Sequence, residues 1–154
     1  MTSRNRQSAK TLRSAAQALL MVCAGWNSRL AARRITQFLD AAMAASGLGI
    51  AQVGLLAQIA VASDDTLGAL ADRLGLEQST LSRNLKVLER EGLVEIAVVE
   101  RDQRRRTVWL TEQGARRLEA AIPVWRDAQA ALAAHLAPEL PGRLAAATER
   151  LRDG

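Results

Sequence analysis

Apolar and polar positions follow two rhythms along this chain, and the switch between them marks its centre. Leu67, Leu70, Ala71 and Leu74 recur at helical spacing, which predicts one apolar helix face over residues 67–74. Thr66 can cap that helix, and Gly75 suits a left-handed stop after it. A second helix is expected over residues 77–91, with Leu81, Leu85 and Leu88 turned inward and Gly92 ending it. From Leu93 to Val99 the period drops to two. Val94, Ile96 and Val98 then share one face of a short β-branched strand. A charged loop over residues 100–106 precedes a return strand over 107–110. The pattern is helix, tight turn, helix, hairpin.

The flanks are helical. Leu30, Ile35, Phe38, Leu39 and Ala42 make an apolar side for a helix over residues 26–45, and Ser46-Gly47-Leu48-Gly49 breaks it. That Gly-Leu-Gly is a helix stop, since nothing after it supports nucleotide binding. Val53, Leu56 and Ile59 or Ala60 face inward from a helix over 50–62, and residues 63–65 form a turn. Beyond the hairpin, Thr111 can cap a long helix with Glu112 in its first turn. Leu118, Ile122, Trp125, Leu132 and Leu136 form its stripe, which Pro123 is expected to kink or split. Pro138 and Pro141 mark the next break, before a last helix bearing Leu140, Leu144 and Leu151. Residues 1–13 read as a basic, disordered tail, and residues 14–154 as a single domain.

The polar face of the second central helix carries Gln78, Ser79, Thr80, Ser82, Arg83 and Lys86. Short side chains come first and long cations behind them. Such a face suits a helix entering the DNA major groove by its N-terminal end. The loop that follows holds Arg101, Arg104, Arg105 and Arg106, four arginines whose gathering favours an anionic partner.

Taken in order, Leu88-Glu89-Arg90-Glu91-Gly92-Leu93-Val94, then Asp102-Gln103-Arg104-Arg105-Arg106, then Leu110-Thr111-Glu112-Gln113-Gly114 resemble the winged helix-turn-helix of the MarR family of bacterial regulators. The resemblance extends more weakly from Trp26 to the C-terminus. It implies a mainly α fold with a small β-hairpin. The winged helix-turn-helix would span residues 48–111, with dimerisation helices over 14–46 and 112–152. It also implies a homodimer on a palindromic double-stranded DNA operator, acting as a repressor and released by a small aromatic or phenolic effector. By position, Asp102 would brace the wing and Arg104 would enter the minor groove. Trp26, Trp109 and Trp125 are candidates to line the effector pocket, although tryptophan at helical spacing is more often core.

Charge and rare residues narrow the classes. The net charge of +5 and pI near 10.9 favour a polyanionic partner, and no acidic residue precedes Asp40. The outer helices are alanine-rich with thin apolar stripes, so a second copy is the economical cover for them. One cysteine excludes an internal disulfide framework, and one histidine excludes the common zinc spacings. No metal, cofactor or catalytic residue is expected. There is no Gly-x-Ser-x-Gly motif, and Ser79 and Ser82 lack a plausible base.

Two rival readings remain. Cys23 could make this a redox-sensing regulator, as in a branch of the family that senses organic hydroperoxides. That branch uses tyrosines to bond its thiolate, however, and this chain has none. A winged helix used only for protein interaction is the other rival, opposed by Arg83, Lys86 and the wing arginines. The apolar run over residues 15–25 resembles a short signal peptide, but Gln17 interrupts it and Val22 before Cys23 is wrong for lipoprotein cleavage. A cytoplasmic protein without a membrane partner is expected.

Overall fold

Ser3–Val22 contains neither glycine nor proline and is rich in good helix formers. In the computed structural model, which describes residues 3–62, 66–99 and 102–152, it folds as helix α1. The disordered tail expected over residues 1–13 is therefore corrected: intrinsic propensity outweighs polarity, and the chain is helical from Ser3. Helix α2, Ala24–Ala42, follows after a break at Cys23. The Cys23 amide donates to the Leu19 carbonyl at 2.9 Å, and its carbonyl accepts from the Asn27 amide at 3.0 Å. The Asn27 side chain reaches back to the Met21 carbonyl at 3.2 Å. It thereby satisfies one of the acceptors that a helix end leaves open.

The chain falls into two compact units, Met1–Phe38 and Leu39–Gly154, rather than one domain from residue 14. The physical reason is burial. Among described residues 10–38 no side chain is buried, so that stretch adds nothing to the core.

The second unit holds the core. Helix α3, Ile50–Ala60, begins where the Ile50 amide donates to Asp40 Oδ1 at 2.7 Å. Helix α4, Leu67–Leu74, starts at Thr66, whose hydroxyl accepts from the Ala69 amide at 3.3 Å. Gly75 ends it at φ 61°, a conformation that a Cβ would strain. Helix α5, Gln78–Arg90, follows. Leu56, Leu70, Leu81, Leu85 and Leu88 are almost fully buried, and they join Val94 and Val108 of the hairpin. The expected inward stripe of both central helices is the one observed.

Strand β1, Val94–Val99, pairs antiparallel with β2, Asp102–Leu110, with Val94 opposite Leu110 and Ile96 opposite Val108. The return strand thus begins at Asp102, well before residue 107. Arg106 pairs with Val98, and the register slips between Val98 and Val99. Backbone pairing draws the charged segment into the ladder, because its side chains can point outward while its amides bond. A bridge between Thr66 and Thr107 ties the start of α4 to β2.

Helix α6, Glu112–Ala133, runs through Pro123 as one element, so the split expected there does not occur. Glu119 and Pro123 are both exposed, which leaves the carbonyl freed at residue 119 open to water. Helix α7, Leu140–Thr148, takes Pro141 in its first turn, where a missing amide costs little. Within this unit α3 packs on α6 and β2, α4 on α5 and β2, and α5 on β1.

One junction fixes α6 to the end of the helix-turn-helix. The Thr111 hydroxyl donates to the Gly92 carbonyl at 2.6 Å and accepts from the Gly114 amide at 2.9 Å. The Thr111 amide also bonds the Leu93 carbonyl at 3.1 Å. Gly114 is required by this approach, because a Cβ there would lie 1.9 Å from the Leu93 carbonyl oxygen. Among the described residues no helix is long and apolar enough to cross a membrane.

Candidate nucleic-acid interface

Burial of Leu81, Leu85 and Leu88 decides which way α5 faces. With those three inward, Gln78, Ser79, Thr80, Arg83 and Lys86 are exposed, and Ser82 is half-buried at the edge. The exposed face is polar at its start and cationic further along, in the order expected from the sequence. Glu77 occupies the N-cap position of α5 without a side-chain cap bond, so the first amides of the helix are left for other partners.

The cations form a line. Arg83, Lys86 and Arg90 border a shallow recess on α5 together with Val87 and Glu89. Arg90 Nε also donates to the Lys86 carbonyl at 3.2 Å. A second recess of about 250 Å³ lies between α5 and the hairpin, where Ser82 and Lys86 meet Arg106. Arg106 reaches it because its partner in the ladder, Val98, also lines the recess. Helix and wing thus present cations to one shared surface.

The remaining wing candidates divide by what is described. Arg101 lies outside the described residues. Asp102, Arg104 and Arg105 belong to β2, but their side chains lie outside the described residues as well. Cys23, half-buried at the α1–α2 break, is distant in sequence from all of these. Among the described residues no group of three or more His, Cys, Asp or Glu could hold a metal.

The sequence reading missed a third feature. A cleft of about 530 Å³ opens between α3 and α5, floored by Leu55 and Leu88 and closed at one end by Leu74 and Leu76. None of Trp26, Trp109 or Trp125 lines it. Two signals were available: Gly54 inside α3, and Val87 off the buried stripe of α5.

This arrangement is the winged helix-turn-helix found in DNA-binding transcriptional regulators. A sequence model of the MarR family matches residues 46–105. The transcriptional regulator HosA of Escherichia coli is 40% identical over 67 residues, covering 36% of this chain and 50% of that protein. The chain therefore spans about half the length of the curated relatives it matches. The M. tuberculosis transcriptional regulator MosR, solved in complex with DNA, is 35% identical with a TM-score of 0.75. That match covers 85% of this chain and 97% of MosR. A mutant MarR from E. coli, solved with operator DNA, shares the fold at 22% identity and a TM-score of 0.71, covering 86% and 96% of the two chains. The chain belongs to the MarR family. The family and fold are those of transcriptional regulators and not of enzymes.

Proposed function

We propose that this protein is a homodimeric, sequence-specific DNA-binding regulator, a repressor that leaves a palindromic operator when a small molecule binds. One observation carries the reading. The polar-then-cationic face of α5 and Arg106 of the hairpin share one exposed surface, whereas the apolar face of α5 is buried. A helix presented this way can enter the major groove, with short side chains near base edges and cations near phosphates. The MosR–DNA complex, from a protein related along most of this chain, supports it. The same exposed cations oppose a module used only for protein interaction. A cytoplasmic location belongs with this reading.

Dimerisation follows from exposed apolar surface. Leu12, Leu19 and Trp26 are each more than half exposed, and Leu140, Leu144 and Leu151 are exposed as well. Soluble monomers rarely leave such residues clustered without a partner. A two-fold interface covers the same patch twice. Light scattering at micromolar concentration is expected to give about twice 16.6 kDa; a clean monomer of that mass would refute the dimer. Fluorescence anisotropy with operator DNA, repeated at several salt concentrations, tests the DNA reading.

A further inference from the structure

We propose that the cleft between α3 and α5 binds an uncharged small molecule: an aromatic or alicyclic compound bearing a hydroxyl or carboxamide, and not a carboxylic acid. This deepens the effector reading above by naming the site and the ligand class, and it rests on that reading only for the consequence in DNA binding.

Size comes first. A volume of about 530 Å³ lies in the range of small-molecule pockets, roughly 300–1,000 Å³. The walls are apolar: Leu55 and Leu88 are buried at the floor, while Leu76 and Val87 remain more than a third exposed at the sides. Gly54 opens the α3 wall, since a Cβ there would meet nothing within 4 Å. The chain's own packing leaves that space unfilled.

Charge decides the class. No ionisable side chain lines the cleft. Its polar groups are amides, with Gln58 on the α3 wall and Asn84 on the α5 wall. Each amide offers both a donor and an acceptor, which matches a hydroxyl or carboxamide that also does both. Beside the cleft, Gln52 Nε2 donates to Glu91 Oε2 at 3.4 Å, so the nearby fixed charge is negative. A carboxylate entering here would lose water, gain no cation and face Glu91. That is a costly exchange.

Position gives the site its leverage. α3 is held by α6 and β2, whereas α5 is held by α4 and β1. A molecule between α3 and α5 touches the back of the helix whose front carries Arg83 and Lys86. An occupant that prefers one spacing of the two helices shifts the presented face by its differential affinity.

The test uses the full chain labelled with nitrogen-15 and two probes of matched shape, naphthol and naphthoate, at neutral pH. Naphthol is expected to shift the amide resonances of Gly54, Leu76 and Val87 saturably. Naphthoate should bind at least about tenfold more weakly, a modest estimate for desolvating an unpaired carboxylate. Gly54→Phe, which fills the cleft, should abolish the naphthol shifts, and Asn84→Leu should weaken them if the first variant does not fold. The proposal is overturned if naphthol leaves those three amides unmoved at millimolar concentration. It is equally overturned if naphthoate binds as well, or if folded Gly54→Phe binds naphthol unchanged. No DNA enters this measurement, so it can fail while DNA binding stands and succeed while DNA binding fails.

Discussion

Gly114→Ala is expected to lower stability by about 3 kcal/mol, the upper end of the usual cost of overpacking. For a chain of this size that is a fall of roughly 6–12 °C in Tm. The cause is local. The added methyl would sit 1.9 Å from the Leu93 carbonyl oxygen, and that oxygen is backbone already bonded to the Thr111 amide. No side-chain rotamer can relieve such a clash. Either α6 must withdraw, breaking the Thr111 bonds to Gly92 and Gly114, or the turn after α5 must open. Gly54→Ala is the internal control, because its Cβ meets nothing within 4 Å. Alanine is the better helix former, so that variant should be neutral or up to about 1 kcal/mol more stable. Urea denaturation of both proteins checks the contrast. Equal effects would mean that the α6 junction is not the tight point described.

The second large effect divides the α5 cations by role. Arg83 is placed for a base edge and Lys86, one turn further along, for a phosphate. Arg83→Ala should cost roughly 1–3 kcal/mol per half-site at one base position and relax the preference there. A dimer carries two half-sites, so the summed loss can reach several kcal/mol. Lys86→Ala should weaken all sequences alike and reduce the salt slope by about 0.9 for each phosphate left without its cation. Affinity series on matched and single-mismatch duplexes at three salt concentrations separate the outcomes. If both variants weaken every duplex equally, Arg83 touches only the backbone and the division is wrong.

The helix-turn-helix was legible because its signals are local. Thr66, Gly75 and the spacing of Leu67, Leu70 and Ala71 define α4 within ten residues, and α5 ends where Gly92 stands at φ 71°. The face assignment of α5 followed from the same periodicity, since three leucines bury themselves and thereby expose the rest. Non-local features were less legible. Gly114 could be noticed as part of a motif, but its reason is a carbonyl twenty-one residues earlier in sequence. The α3–α5 cleft needs Gly54, Leu76 and Val87 together, and no periodicity links them. The first helix was misread because its polarity suggested a tail, although Ser3–Val22 has no breaker. For the hairpin, charge suggested a loop where backbone pairing with Val98 and Val99 extends the strand to Asp102.

The central claim is that α5 reads base sequence, and selection from random duplex DNA tests it most directly. Wild-type protein should enrich a palindrome whose half-sites lie about one helical turn, roughly 10 base pairs, apart. Arg83→Ala should enrich the same spacing with one position in each half-site degenerate. Recovery of no motif by the wild type, or of an identical motif by the variant, would contradict it.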